Sequence, residues 1–280
     1  MFKMGHVMKN EVPKGFTLHR LEGYSIVLRD DFRKSCCDLV VELAKKPALG
    51  RGKICVVPFS GSGGDKILVA FRKTVRGGPY GRLGIESTMG LYPRTFLELN
   101  VAVAAEAGGA PVASPAGCYW KWGLGGIGYT GGYFSIFQEK AHCLGEELES
   151  WKLTNPTLLK RRETLSHLGK ALKKLHQCGV IHTDLTLRNV LVQPDGRCSF
   201  VDLDGAFVVK TVCNRSRISA LSRLNRSLEK LRMGNLVPLR ERLWFIREYS
   251  RVHRYDKAFM RCLLKKASLE LRLHRLFWSR

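Results

Sequence analysis

The chain has 280 residues, a formal net charge of +23 and a pI near 10.0, a balance that favours an anionic partner such as nucleic acid, an acidic membrane surface or a phosphorylated ligand. The nine cysteines include no CxxC spacing, which disfavours a zinc site or a thioredoxin-like centre and indicates reduced thiols of a cytosolic compartment. No apolar run approaches the ~20 residues that cross a bilayer, and the first residues lack the apolar core of a secretory signal, so any membrane contact is expected to be peripheral.

The first half of the chain is predicted to consist of strands and turns. Apolar runs at residues 24–30, 50–59 and 65–78 predict strands, the last of them ending in a glycine pair. Residues 93–109 predict a helix with Pro93 in its first turn, and residues 110–115 and 131–141 predict further strands. The glycine-rich stretch at 122–132 does not lead into a helix, which favours a hairpin loop over a phosphate-binding loop.

The second half changes to a helical period. Residues 155–179 predict a long amphipathic helix with Asn155 as N-cap, Pro156 in the first helical position and a stop at Gly179. Two short strands joined by a turn follow, and the chain from Asn214 onward reads as helices, including 217–234 and 258–277. The patterns predict an α+β fold of two lobes, a strand-rich N-terminal lobe over 1–140 and a mainly helical C-terminal lobe over 141–280.

The residues that carry chemistry cluster between Gly179 and Ala206. His182, Asp184 and Asn189 form the spacing H-x-D-L-x-x-x-N, and Asp202 follows Asn189 after a hairpin-length gap. A hairpin would bring Asn189 and Asp202 to one edge beside Asp184. Carboxylate and amide oxygens suit Mg²⁺, and Asp184 would remain to orient a hydroxyl and accept its proton. This is the layout of the catalytic loop and metal-binding Asp of protein kinases, with His182 the more structural member.

The N-terminal half offers a matching nucleotide site. Arg72, on a predicted strand, stands where kinases place a basic residue at the nucleotide phosphates, and the following helix offers Glu98 as its partner. Arg94 lies one turn before Glu98 on the same face of that helix. The turn that contains Gly50 and Gly52 is the candidate phosphate-covering turn, although it lacks the third glycine of G-x-G-x-x-G.

Five segments resemble lipopolysaccharide core kinases, in the same order along the chain, and are most similar to the 3-deoxy-D-manno-octulosonic acid (Kdo) kinase group. They are VAFRKTVRGGPYGRL, PRTFLELNVAVAAEAGGAPVASP, IHTDLTLRNVLV, FVDLDGA and LSRLNRSLEKL, and the resemblance covers roughly residues 45 to 232. It implies a two-lobed protein-kinase-like fold and transfer of the ATP γ-phosphoryl group to a hydroxyl of a Kdo sugar in Kdo-lipid A. By position, it implies Asp184 as the catalytic residue, Asn189 and Asp202 as Mg²⁺ ligands, and Arg72 with Glu98 at the ATP phosphates.

Three features depart from protein kinases or stay open. Arg replaces Lys at position 72, and no A-P-E element follows, which favours a small-molecule or glycolipid acceptor over a protein. Asp204 stands where protein kinases have the glycine of D-F-G, and a second metal role or a substrate role both stay open for it.

Most of the net positive charge lies in the C-terminal part of the chain. From Lys210 onward the chain has about 19 basic and about 5 acidic residues, so basic helices at the cytoplasmic face of a bacterial inner membrane could contact anionic headgroups or the anionic glycolipid. No nucleic-acid-binding module is evident, so no nucleic-acid partner is expected. The alternatives are a heptose kinase of the same core, a Rio-like protein kinase and a non-catalytic kinase-like regulator; the oligomeric state is left open.

Overall fold

The computed structural model describes residues 11–47, 54–74, 88–89, 92–123, 128–250, 259, 261–263 and 265–266. Gly50 and Gly52, the Arg-Gly-Gly segment at 76–78 and most of the helix expected at 258–277 lie outside these residues. In the part that the structure describes, no helix combines the length and apolar character that crossing a membrane requires.

The N-terminal half is built on one antiparallel sheet. Its strands are β1 (Phe16–Leu21), β2 (Tyr24–Arg29), β3 (Cys55–Ser60), β4 (Lys66–Lys73), β5 (Thr88–Met89), β6 (Pro115–Trp122) and β7 (Gly128–Ile136). Their order is β1-β2-β6-β7-β4-β3, and β5 pairs with β7. The antiparallel pairing of β6 with β7 confirms a hairpin here, but residues 128–132 of the glycine-rich stretch belong to β7 and were wrongly assigned to the loop.

Two helices cover opposite faces of this sheet, α1 (Cys36–Lys45) and α2 (Arg94–Ala107). Side chains alternate along β2: Ile26 and Leu28 belong to the apolar cluster that includes α1, whereas Val27 belongs to the cluster that includes α2. The second cluster continues into the C-terminal half, so α2 packs at the junction of the two halves.

The C-terminal half is mainly helical. It contains the helices α3 (Leu144–Thr154), α4 (Leu158–Gln177), α5 (Asn214–Lys230) and α6 (Leu239–Ser250), and the short strands β8 (His142–Cys143), β9 (Val180–Ile181), β10 (Val190–Val192), β11 (Cys198–Phe200) and β12 (Phe207–Val208). The α4 and α6 helices approach closely at Gly169, where an added Cβ would lie 3.1 Å from the carbonyl oxygen of Phe245. A larger residue at this position would push the two helices apart.

The N-terminus of α4 differs from the sequence prediction. The N-cap is Thr157, whose Oγ1 accepts a hydrogen bond from the Lys160 N–H. Asn155 instead ends α3, in a left-handed conformation with a φ of 40° that asparagine tolerates better than most residues. The prediction of Asn155 as N-cap was therefore wrong, because the preceding helix α3 had not been identified.

The strand predicted at residues 110–115 is also placed differently. Strand β6 begins only at Pro115, and the residues before it leave the sheet. The Ala113 N–H donates to the Phe200 carbonyl, and the Phe200 N–H donates to the Pro111 carbonyl, at 3.0 and 2.8 Å. This segment therefore joins the end of α2 to β11 in the C-terminal half and helps to fix the two halves together.

Candidate active site

The candidate site begins at a hairpin of the C-terminal half. Strands β10 and β11 pair antiparallel, with Val190 opposite Phe200. One residue beyond this register, the Val201 N–H donates to the Asn189 carbonyl at 3.1 Å. Asp202 is the next residue, so the hairpin brings Asn189 and Asp202 to the same edge.

The loop before β10 places Asp184 at this edge. Leu185 and Leu187 are 0% and 2% exposed and anchor the loop in the core, whereas Asp184 is exposed. The Nδ2 atom of Asn189 donates to the Asp184 carbonyl at 2.8 Å. This bond uses the amide nitrogen of Asn189 and leaves its side-chain oxygen as an acceptor at the edge.

His182 supports the loop from inside. It is 1% exposed; the Asp184 N–H donates to its Nδ1 at 3.2 Å, and its Nε2 donates to the Val201 carbonyl at 3.1 Å. Burial lowers the pKa of His182, although the Val201 carbonyl and the nearby carboxylates of Asp202 and Asp184 partly oppose that shift. The neutral ring thus links the Asp184 loop to the Asp202 segment, a positioning role that agrees with its interpretation as structural.

Arg72 connects this edge to the N-terminal half. Its Nη2 atom lies 2.7 Å from both carboxylate oxygens of Glu98 and 3.1 Å from Oδ1 of Asp202. Asp202 has a φ of 59°, a conformation that is unusual for a residue other than glycine. The backbone at Asp202 is thus held in a strained conformation while its side chain, 37% exposed, stays accessible.

The pair of Arg72 and Glu98 is deeply buried. Burial, opposed by Arg72 and assisted by the carboxylates of Asp202 and Asp204, raises the pKa of Glu98 to about 7. Burial alone would lower the pKa of Arg72, but the three neighbouring carboxylates outweigh it and raise that pKa. We therefore take Arg72 as permanently charged, surrounded by more negative than positive groups.

Asp204 has a partner that the sequence did not identify. Arg94, in the first turn of α2, donates from Nε and Nη2 to the two carboxylate oxygens of Asp204, at 3.0 and 2.8 Å. The placement of Arg94 on the same face as Glu98 was visible in the sequence, but nothing in the spacing indicated a partner 110 residues away. The Tyr129 hydroxyl, which accepts a hydrogen bond from the Arg94 N–H at 2.7 Å, carried no sequence signal.

The donor set at the edge fits a hard divalent cation. The accessible Asp202 carboxylate and the free side-chain oxygen of Asn189 are oxygen ligands of the kind that Mg²⁺ takes together with waters and substrate phosphates. Among the described residues, no group of three or more His, Cys, Asp or Glu side chains could hold a metal ion. Asp202 and Asn189 would supply two oxygen ligands to such a cation, and Mg²⁺ at nucleotide phosphates usually takes few protein groups.

Comparisons with known proteins identify the family of the chain. A family model described as the lipopolysaccharide kinase (Kdo/WaaP) family matches residues 139–255. A 3-deoxy-D-manno-octulosonic acid kinase of Xylella fastidiosa (strain M12) is 30% identical over 222 residues, covering 76% of this chain and 78% of that protein. The kinase of the same name from Haemophilus influenzae (strain PittGG) is 28% identical over 177 residues, covering 58% of this chain and 66% of that protein.

A solved structure supports the fold. The structure of WaaP in complex with acyl carrier protein matches with a TM-score of 0.57 and 16% identity, over 87% of this chain and 98% of that chain. The two-lobed α+β architecture is therefore kinase-like, and the protein is a kinase with ATP as its substrate. The chain belongs to the lipopolysaccharide kinase (Kdo/WaaP) family, and it acts in lipopolysaccharide biosynthesis.

Proposed function

We propose that this kinase transfers the γ-phosphoryl group of ATP to a hydroxyl of a Kdo sugar in the inner core of lipopolysaccharide, with Kdo-lipid A as the acceptor. The observation that carries the proposal is the convergence of Asp184, Asn189 and Asp202 at one hairpin edge, directly linked to Arg72 and Glu98. The relatives named for Kdo phosphorylation provide the acceptor class.

Asp184 is the catalytic residue in this proposal. Its exposed carboxylate orients the acceptor hydroxyl and accepts its proton as the oxygen attacks the γ-phosphorus. The hydrogen bond from Asn189 and the buried neighbours of the loop hold Asp184 in place, so little reorganisation is needed when the acceptor binds.

Asn189 and Asp202 would hold Mg²⁺, which when bound would offset the negative charge of the nucleotide phosphates. Arg72 then stabilises the negative charge on the phosphates in the transition state. Glu98 keeps the Arg72 side chain fixed in this orientation, since its two oxygens both contact Nη2.

We also propose that the enzyme works at the cytoplasmic face of the inner membrane as a peripheral protein. Exposed leucines gather at one end of the C-terminal half, where α3 ends and α4 and α6 begin: Leu153 91%, Leu158 49%, Leu159 80%, Leu239 65% and Leu243 40%. Arg161 ties these elements together, because it contacts the Leu236 carbonyl and lies 3.1 Å from Glu241. We call these five residues the leucine cluster.

Cations lie beside the leucine cluster, two of them in exposed ion pairs, Lys152 with Glu149 and Lys160 with Glu163. Lys152 and Lys160 are about half exposed, and Arg240 is exposed. Apolar side chains with flanking cations are suited to the headgroup region of an anionic bilayer, where the glycolipid acceptor is located.

The substitution Asp184→Asn tests the catalytic assignment. The variant should keep its fold and its affinity for ATP but lose transfer to the acceptor by at least 10³-fold, because the amide cannot accept the proton. Calorimetry with ATP and Mg²⁺ and a transfer assay with labelled ATP measure the two properties. Wild-type turnover in the variant would refute the role of Asp184.

A panel of acceptors tests the substrate. Kdo-lipid A, heptosylated core and a generic protein are offered with labelled ATP, and we expect transfer to Kdo-lipid A alone. Transfer to the heptosylated core would indicate a heptose kinase, and transfer to protein a Rio-like activity. ATP binding without transfer to any of the three would favour a non-catalytic regulator.

Sedimentation with vesicles tests the membrane proposal. The double variant Leu153→Ser/Leu159→Ser should lower binding to phosphatidylglycerol vesicles by about tenfold, because two apolar side chains no longer enter the interface. Leu18→Ser is the matched control, since Leu18 is 38% exposed on β1 and should not affect binding. Equal binding of both variants would show that the leucine cluster does not contact the bilayer. Binding of nucleic acid instead of vesicles would show that the positive charge serves a nucleic-acid partner.

A further inference from the structure

We infer that Asp204 is a positioning residue rather than a metal ligand, and that it acts with Arg94 as a clamp that holds α2 against the catalytic hairpin. The inference rests on the proposed kinase site and assigns a function to the second carboxylate of the sequence D-L-D. The pair of Arg94 and Asp204 is called the clamp below.

The clamp joins the two halves of the molecule. Arg94 is the first residue of α2, which packs on the N-terminal sheet. Asp204 lies in the turn that follows the hairpin of the C-terminal half. Two parallel hydrogen bonds of 3.0 and 2.8 Å connect the guanidinium to the carboxylate. This bidentate geometry fixes the orientation of both groups as well as their distance.

The clamp lies one helical turn from the pair that faces the nucleotide. Arg94 and Glu98 are four residues apart, so they share one face of α2. Glu98 ties this face to Arg72 on β4, and Arg94 ties it to Asp204. The orientation of Glu98 toward Arg72 therefore depends on where the clamp holds the helix.

The two carboxylates of D-L-D differ in their partners. Both oxygens of Asp204 accept hydrogen bonds from Arg94, and its side chain is 22% exposed. Asp202 has a contact of 3.1 Å from Arg72 to one oxygen, and its side chain is 37% exposed. A cation at Asp204 would have to displace a bidentate guanidinium, whereas Asp202 retains an accessible oxygen.

The turn itself is built to present Asp204 to Arg94. The Ala206 N–H donates to the Leu203 carbonyl at 2.9 Å, and Gly205 has a φ of 73°, which favours glycine. A Cβ at Gly205 would lie 3.3 Å from Oγ1 of Thr183 and 3.9 Å from Nη2 of Arg94. Glycine therefore allows the turn to approach both the catalytic loop and the clamp.

The chain leaves no space for a long regulatory segment after this turn. Helix α5 begins at Asn214, ten positions after Asp204, and β12 occupies part of the interval. In protein kinases, phosphorylation of an activation loop controls the position of the corresponding helix and thereby its Glu. Here the Arg94–Asp204 contact links α2 to the C-terminal half through unmodified side chains.

A double-mutant cycle tests the clamp in the full-length protein. The variants are Arg94→Gln, Asp204→Asn and the double variant, with Arg94→Lys as a conservative variant that keeps the charge and loses the fork. The matched control is Arg29→Gln with Asp31→Asn, another bidentate Arg–Asp pair, with both contacts at 2.7 Å, far from the site. Circular dichroism verifies that each variant is folded.

Two measurements need no acceptor, so they are independent of the Kdo proposal. Hydrogen exchange of the first turns of α2 is followed in the protein without nucleotide or metal, and the affinity for ATP is measured by calorimetry over a Mg²⁺ titration. We expect each single variant to exchange about tenfold faster in α2 and to bind ATP about tenfold more weakly, with unchanged half-saturation by Mg²⁺. The double variant should be no worse than either single variant, Arg94→Lys should be intermediate and the control pair should match the wild type.

Each other result would overturn the inference. Additive effects in the double variant would show that Arg94 and Asp204 act separately. A higher Mg²⁺ requirement in Asp204→Asn, absent from Arg94→Gln, would identify Asp204 as a metal ligand. Unchanged exchange in α2 would show that the clamp does not position the helix.

Discussion

Arg72 contacts two carboxylates through a single nitrogen. The distances of 2.7 Å to Glu98 and 3.1 Å to Asp202 all involve Nη2, although the planar fork of arginine could present several donors. In the proposed site, the other guanidinium nitrogens would contact the nucleotide phosphates. Toward the two carboxylates, Arg72 acts like the point charge of a lysine.

This geometry predicts how substitutions of Arg72 differ. Arg72→Lys should change the free energy of unfolding by less than about 1 kcal/mol, because one ammonium can replace Nη2, while weakening ATP binding several-fold. Arg72→Gln should lower that free energy by about 3 kcal/mol, because Glu98, 2% exposed, loses its countercharge. Urea denaturation and calorimetry with ATP measure the two effects. Equal destabilisation by both substitutions would contradict the single-nitrogen interpretation.

At the residue scale, the sequence indicated which side chains meet but not every partner. The spacing from Asp184 to Asn189 and the hairpin length predicted a common edge, because hairpin geometry is local. The contact of Arg94 with Asp204 joins residues 110 positions apart, and only the docking of the two halves decides it. Gly50 and Gly52 lie outside the described residues, and their nucleotide role stays a prediction.

Two serines of helix α5 differ in their hydrogen bonds: one accepts a bond from the loop that carries Asp184, and the hydroxyl of the other has no partner among the described residues. The Oγ atom of Ser227 accepts a hydrogen bond from the Leu187 N–H at 3.1 Å. Ser222, on the same helix, is 1% exposed, and its Oγ atom has no hydrogen-bond partner among the described residues. Ser222 also lines an apolar cavity of about 310 Å³, which Leu187 borders from the loop side.

The two serines should respond in opposite directions to alanine. Ser222→Ala should raise the free energy of unfolding by about 1 kcal/mol, because a buried hydroxyl without a partner is removed. Ser227→Ala should lower it by about 1 kcal/mol and reduce turnover, because the buried Leu187 N–H loses its acceptor. Thermal denaturation and the transfer assay measure both variants. Destabilisation by Ser222→Ala would mean that its hydroxyl makes a contact in solution.

At the element scale, the sequence predicted elements with strong periodicity and missed those without it. The helical period of α4 was clear, but the predicted N-cap was wrong. Helix α3, whose mixed polar composition gave no clear period, ends at Thr154, three residues before the observed N-cap Thr157. The strand predicted at residues 110–115 was misplaced, because these extended residues pair with β11 and not with the N-terminal sheet. Tertiary pairing decides which extended segment joins a sheet, and local propensity does not predict that pairing.

The contact between α4 and α6 makes the stability of the whole molecule depend on pH. His176 is 3% exposed, and its Nδ1 lies 2.7 Å from the Tyr249 hydroxyl. Burial, together with the neighbouring Arg217 and His182 side chains, lowers the pKa of His176 to about 4. The buried ring is therefore neutral at neutral pH.

We predict a loss of stability on acidification from this residue. The unfolded chain binds a proton at His176 near pH 6.5, whereas the folded chain binds it only near pH 4. The contribution of His176 to the free energy of unfolding is therefore complete above pH 6.5 and is lost as the pH falls toward 4 and below. The loss should reach about 3 kcal/mol, since each pH unit between the two values corresponds to about 1.4 kcal/mol. Urea denaturation between pH 4 and 7.5 measures it, and His176→Gln should flatten the profile by that amount. An unchanged profile in His176→Gln would show that other groups cause the loss.

For this protein, the strand and helix patterns along the sequence determined the fold class. The sequence also indicated the reaction, because the residues of the proposed catalytic hairpin are near one another in the chain and local geometry fixes their arrangement. The assignment of Asp184, Asn189 and Asp202 to one edge needed only a hairpin. The tertiary structure decided what depends on docking the sheet against the helices: the pairing of Arg72 with Asp202, the partner of Asp204 and the position of α2. These contacts cross from one half to the other, and no local pattern specifies them, since their energy comes from packing and charge pairing between distant segments.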